Sequence, residues 1–219
     1  MTTLTGPERP AASGTASSAV VFLHGYGADG NDLIGLAEPL APHLPDTRFL
    51  APNAPERCPG NPMGFQWFPI PWLDGTPEAA ARASAAVAFR TLDAWLDDLA
   101  RSMPPARTVL VGFSQGTMMA LHVGLRRRQP LGGIVGFSGR LLDPEALPSE
   151  IASRPPVLLI HGDQDPVVPF ASLDEAATAL TAAAVATSTH VSPGIGHGIA
   201  PDGLGLALGF IRQHLGLSG

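Results

Sequence analysis

The 219-residue chain predicts an α/β fold, a mostly parallel central sheet with helices on both faces. Three observations predict it. Compact apolar runs recur at Ala19–Leu23, Thr108–Val111, Gly133–Phe137 and Val157–Ile160. Runs without polar alternation read as strands buried on both faces, as parallel strands are. Segments of helical spacing lie between them, so strands and helices alternate. One run also ends in Gly112-Phe113-Ser114-Gln115-Gly116, a pattern that turns a strand sharply into a helix.

In chain order, residues 1–18 are rich in Thr, Ser, Gly and Pro and read as a tail or an edge strand. Residues 19–219 read as one domain, with neither an internal repeat nor a linker. After the Ala19–Leu23 strand, His24 to Gly30 forms a glycine-rich loop, and Asp32 to Leu40 reads as a short helix ended before Pro42. Thr47–Ala51 is the next strand. Pro52 to Asp74 reads as a long irregular loop with six prolines and the aromatics Phe65, Trp67, Phe68 and Trp72; an aromatic loop of this length points to function. Thr76 is placed to N-cap a helix with Pro77 in its first position. Ala88, Leu92, Trp95, Leu96, Leu99 and Met103 then form one helical stripe facing the sheet. A helix follows Ser114, a loop with Pro144 and Pro148 precedes Val157, and Phe170–Val185 is an alanine-rich helix. Thr187–Val191 reads as a last strand and Asp202–Leu215 as a closing helix.

Composition narrows the chemistry. The chain is 45% hydrophobic and 15% charged, which is globular and not disordered. A net charge of -6 argues against a nucleic-acid partner. All thirteen basic residues are Arg, so a Walker-A lysine, a Schiff base and a Ser-Lys dyad are excluded. Cys58 stands alone, which removes an intrachain disulfide and a thiolate metal cluster. The start of the chain lacks a secretory pattern, and no run approaches the ~18 apolar residues of a membrane span. The expectation is a soluble cytoplasmic protein with no stable membrane insertion. Nothing calls for a cofactor or a metal: His161 and Asp163 are close in sequence, but no third ligand has sensible spacing.

The Gly112–Gly116 pattern is the nucleophile elbow of an α/β-hydrolase when it joins a strand to a helix. Side chains at Gly112 or Gly116 would collide with the neighbouring strand or helix, and the tight turn exposes the Ser114 hydroxyl. Such a serine needs a base and an orienting acid, in the order Ser, acid, His. After the Val157–Ile160 strand comes His161-Gly-Asp163-Gln-Asp165-Pro166. Asp165, ahead of Pro166 and the Val-Val-Pro run, is the expected acid, and Asp163 is expected to bond the turn's backbone. His197, between Gly196 and Gly198, is the expected base. Gln115 N–H, at a helix start, and Leu23 N–H, after the early strand, are the expected oxyanion donors. His24 is expected to be structural.

Several segments together resemble one family. They are Leu23-His-Gly-Tyr-Gly-Ala-Asp-Gly-Asn-Asp32, Ala51-Pro-Asn-Ala-Pro55, Gln66-Trp-Phe68, Gly112-Phe-Ser-Gln-Gly116, His161-Gly-Asp-Gln-Asp-Pro166 and Gly196-His197. The chain is similar to the phospholipase/carboxylesterase family, which includes acyl-protein thioesterases and small bacterial carboxylesterases. The resemblance implies an α/β-hydrolase without a large cap that hydrolyses carboxylic esters, or in some members thioesters or lysophospholipids. It carries the triad onto Ser114, Asp165 and His197 and the oxyanion amides onto Leu23 and Gln115. It also sets the Pro52–Asp74 loop along the acyl pocket, with Trp67 and Phe68 as walls. Phe65 and Trp72 are bulky enough to narrow that site toward short acyl or aryl groups; the alternative is that they only pin the loop. Many members have two glycines after Ser-Gln, whereas this chain has Gly116-Thr117. Compact members of such families often pair, which leaves room for a homodimer.

Two further readings stand beside these. A binding-only α/β-hydrolase usually lacks a triad residue, and this set is complete. Arg126-Arg127-Arg128 reads as cations at a helix C-terminus in preference to a phosphate or membrane patch.

Overall fold

The computed structural model describes residues 4–217. Along the chain run β1 (Glu8–Arg9), β2 (Ser18–Leu23), α1 (Gly30–Ile34), α2 (Ala37–Leu40), β3 (Thr47–Leu50), β4 (Glu56–Cys58), β5 (Asn61–Gln66), α3 (Pro71–Asp74) and α4 (Glu78–Ala100). They are followed by β6 (Thr108–Phe113), α5 (Gln115–Arg126), β7 (Gly133–Phe137), α6 (Leu147–Glu150), β8 (Val157–Gly162), α7 (Ala171–Ala182), β9 (Thr187–Ser192) and α8 (Pro201–His214). The main sheet has the order β1-β3-β2-β6-β7-β8-β9. Every pairing is parallel except that of β1 with β3.

The apolar runs are strands because both of their faces are covered. Along β2, Val20 and Phe22 face one core, while Ala19, Val21 and Leu23 face the other. The first core contains Leu33, Leu40, Ala207 and Ile211 of α1, α2 and α8. The second contains Leu92, Leu96, Met119, Leu121 and Leu180 of α4, α5 and α7. This is the predicted architecture, and no large cap interrupts it. Among the described residues no helix is long and apolar enough to cross a membrane.

The structure departs from the sequence reading where the local signal was weak. For residues 1–18 the edge-strand alternative holds and the tail does not: β1 is the edge strand that pairs Glu8 with Leu50 and Arg9 with Phe49, and Leu4 is buried against the core. The predicted irregular loop contains the β4–β5 hairpin, whose register shifts at Arg57/Cys58. Pro59-Gly60 makes its turn and Pro62 interrupts its pattern, so neither strand reads as one. The expected Asp32–Leu40 helix is two helices, the first opened by a capping box between Asp29 and Asp32. Thr76 does not cap α4: Pro77 holds that position without a side-chain bond, and Thr76 N–H donates to Asp74 Oδ1.

Two of the three clustered arginines, Arg126 and Arg127, are bonded to neighbouring elements, and Arg128 is exposed. Arg126 Nε donates to Glu150 at 2.8 Å. Arg127 leaves the helix and turns back under α4, where its guanidinium reaches both Asp93 and Asp97 and the Asp93 carbonyl. Its side chain is buried while both carboxylates stay substantially exposed, so solvent screens the pair and the packing contributes as much as the charge. Arg127→Ala is expected to lower unfolding free energy by about 1–3 kcal/mol in a urea titration, with Arg128→Ala near zero. Equal, small effects would mean that Arg127 does not fasten α5 to α4.

Candidate active site

Ser114 sits between β6 and α5 with φ 54° and ψ -117°. A non-glycine residue holds such a conformation only where its surroundings impose it. Here Ser114 N–H donates to Phe137 O at 2.9 Å, tying the turn to β7. The glycines leave the room that the turn requires. A Cβ on Gly112 would stand 2.4 Å from Thr117 N, and one on Gly116 only 1.8 Å from Leu23 O. A Cβ on Gly25 would lie 3.3 Å from Ser114 Cβ, so the Leu23–Gly25 segment runs directly past the serine. As the first residue of α5, Gln115 has an N–H with no intrahelical acceptor.

Asp165 and His197 come from the loops after β8 and β9. His197 Nδ1 lies 2.7 Å from Asp165 Oδ2, and the Asp165 side chain is 0% exposed. Burial opposes the ionised carboxyl, but hydrogen bonds from His197, Val168 and Val167 outweigh it and hold Asp165 below the ordinary carboxylate value. The proton between them therefore sits on Nδ1, leaving the His197 Nε2 lone pair free to accept. The His197 ring lies 4.8 Å, centroid to centroid, from that of Phe113, the residue before Ser114. Asp165, His197 and the Ser114 turn thus meet at the carboxyl end of the sheet. Asp163, the competing acid, takes the Gly194 N–H at 2.7 Å and braces the loop that carries His197.

The aromatic loop is arranged differently from the expectation. Trp67 is 0% exposed and donates its Nε1–H to His24 O at 3.0 Å. No substrate reaches it in this conformation, so Trp67 supports the loop from behind and is not a wall. Phe65 is bonded through its backbone to Gly27 and Ala28, and its ring lies 4.1 Å beneath the Arg57 guanidinium. It pins the loop, as the second reading of that residue had it. Trp72 is 73% exposed on α3 and does not narrow anything by packing. Phe68 is half-buried and edge-on to Phe89, whose ring stacks on His122 of α5 at 3.6 Å. Two surface concavities, of about 410 Å³ beside α4 and about 510 Å³ beside α7, are lined by none of Ser114, Asp165 and His197.

Two contributions escaped sequence reasoning. The Gln115 side chain accepts from Trp67 N–H at 2.9 Å and donates to Phe68 O at 2.8 Å. One residue therefore supplies a helix-start N–H and clamps the aromatic loop. Thr117 points away from the opening: its hydroxyl lies 2.8 Å from both Gly112 O and Phe137 O. Gly136 and Gly139 make the space, since a Cβ on either would stand within 2.5 Å of the Thr117 side chain.

A model of the family described as phospholipase/carboxylesterase matches residues 8–215. The chain belongs to the phospholipase/carboxylesterase family. It is similar to a crystallised esterase, PE8, at 50% identity and TM-score 0.92 over 98% of this chain and 100% of that one. It is 29% identical to an acyl-protein thioesterase 1 of Gibberella zeae over 94% of each chain. It is 26% identical to the esterase YpfH of Escherichia coli K12 over 94% of this chain and 84% of that one. As a member of this family the protein is a carboxylic ester hydrolase with the α/β-hydrolase fold.

His24 is structural in the way expected. Its Nδ1 lies 2.8 Å from Gly25 O, and its Nε2 accepts Ala54 N–H at 3.0 Å. Those bonds fix the neutral Nδ1–H tautomer, and burial lowers the ring's value from 6.5, against the Gly25 hydrogen bond. A depressed value contributes stability that is complete above 6.5 and is lost as pH falls through the folded-state value. His122, lowered to about 4 by burial and Arg126, and His214, lowered by burial, act in the same direction. His24→Gln is therefore expected to melt lower at pH 7 and to lose less on acidification to pH 5 than the wild type. Parallel melting curves against pH would mean that His24 is not held neutral.

Proposed function

We propose that this enzyme is a serine carboxylesterase acting on short-chain or aryl carboxylic esters through an acyl-enzyme on Ser114. The observation that carries the reading is the 2.7 Å Asp165–His197 bond, with the His197 ring against Phe113 beside the strained elbow. Ser114 Oγ attacks the ester carbonyl while His197 Nε2 takes its proton. The developing oxyanion accepts from the N–H groups of Gln115 and Leu23. His197, held by Asp165, then gives the proton to the leaving alkoxide or phenoxide. Water repeats the sequence on the acyl-enzyme and frees the acid. The preference for small acyl groups is supported by the Gln115 clamp, which fixes the Phe68 segment at two points and keeps it from swinging aside for a long chain. Phe68 is the proposed wall. A cytoplasmic location and a homodimer belong to the same proposal.

Hydrolysis of acyl thioesters or lysophospholipids on the same triad is the second reading. Relatives named acyl-protein thioesterase 1 from Gibberella zeae and Neurospora crassa favour it.

Both readings are tested with p-nitrophenyl esters from acetate to palmitate, an acyl thioester and a lysophospholipid. Ser114→Ala is expected to lower kcat/KM on every substrate by at least ~10³. The wild type is expected to peak at short chains. A peak at long chains or on the thioester would favour the second reading, and full activity in Ser114→Ala would overturn both.

A further inference from the structure

Asp165 serves two histidines, and the mechanism above uses one. His161 is the second-last residue of strand β8, paired across the sheet with Val191 of β9, and is 1% exposed. Its Nε2 lies 3.1 Å from Val168 O and 3.3 Å from Asp165 Oδ2. A carbonyl and an ionised carboxylate only accept, so Nε2 between them carries a proton. The same turn is closed from the other side: Val167 and Val168 N–H donate to Asp165 Oδ1 at 2.8 and 2.9 Å. Val168 thus donates to the aspartate and accepts from the histidine. His197 holds Oδ2 at 2.7 Å, and His161 stands at the same oxygen.

We propose that His161 is a positioning residue that, as a fixed Nε2–H donor, orients the Asp165 carboxylate and shares Oδ2 with His197, thereby lowering the basicity of His197. The inference rests on the reading of Ser114, Asp165 and His197 as the working set. A donor on a carboxylate draws off part of the charge that stabilises the partner imidazolium. With His161 present, His197 stays neutral and able to accept a proton to lower pH than with Asp165 alone. The anchor is firm because β8 is buried along its whole length, whereas Pro166 and Val167 are exposed and have only this turn to hold them. The other titratable groups on the surrounding elements are otherwise disposed. Asp163 is bonded to Gly194 N–H. His190 and Asp202 pair with each other at 2.7 Å on β9 and α8. Asp174 and Glu175 of α7 and Arg140 after β7 are exposed. Phe170 covers the His161 ring edge-on at 6.1 Å.

The test compares kcat/KM against pH for the wild type, His161→Leu and His161→Gln, with Ser114→Ala as the control for the underlying reading. His161→Leu is expected to lower kcat roughly ten- to a hundredfold through misorientation, with KM within about twofold. It is also expected to raise the midpoint of the acid limb by roughly half a unit. His161→Gln, whose amide N–H₂ reaches the same oxygen, is expected to restore most of the midpoint. An acid limb that does not move in His161→Leu, or one that moves as far in His161→Gln as in His161→Leu, would overturn the proposal, even if activity or melting temperature fell. Nitrogen NMR of the wild type reads the tautomer without any substitution and covers the case in which His161→Leu does not fold. A proton-free Nε2 on His161 would refute the inference, and a protonated one is required by it. Loss of activity in Ser114→Ala with an unmoved acid limb would leave the triad standing and remove only the role of His161. Retained activity in Ser114→Ala would remove both.

Discussion

The site depends on one close crossing, the start of α5 laid directly on the end of β2. Gly116 passes so near Leu23 O that even a methyl group has no place there. That approach brings the Leu23–Gly25 segment beside Ser114 and sets the first N–H groups of α5 at the same opening. It also drives Ser114 into a backbone conformation that a serine does not adopt by preference. The bond from Ser114 N–H to Phe137 O and the Thr117 hydroxyl between Gly112 O and Phe137 O hold the strain in place. A loose elbow would relax and withdraw the hydroxyl.

Around this crossing a buried polar network substitutes for regular structure. His24 bonds Gly25 O and Ala54 N–H, Trp67 bonds His24 O, and Gln115 bonds both Trp67 and Phe68. Each buried group so bonded avoids the desolvation cost of a lone polar atom. The aromatic loop is fastened to the elbow helix and to the Leu23–Gly25 segment, and the Trp67 ring makes part of that attachment. Tyr26 joins the same set: burial, Cys58 and Asp74 raise its hydroxyl above its ordinary value, and the contact ties the glycine-rich loop to α3.

The sheet and the candidate site around Ser114, Asp165 and His197 were legible because each has a local signature. Apolar runs marked β2, β6, β7 and β8, Gly112 and Gly116 marked a turn at Ser114 that admits no side chain at either position, and His197 stood out by its place between two glycines after the last strand. Asp165 was separable from Asp163 by its place before Pro166. What was hidden depended on partners far off in the chain. Trp67 looks like a pocket wall in sequence because nothing local reveals that His24, 43 residues away, accepts its N–H. The Gln115 clamp spans 47 and 48 residues. The hairpin was obscured by Pro62 and by a register shift, and the space for Thr117 comes from Gly136 and Gly139, 19 and 22 residues on.

The central claim is that this crossing makes Ser114 the one nucleophile. The most direct measurement is the mass of the folded protein after reaction with a fluorophosphonate, with the modified residue located by tandem mass spectrometry. The account predicts a single adduct on Ser114, formed slowly or not at all once Asp165 or His197 is replaced. An adduct on another residue, or none on the folded wild type, would contradict it.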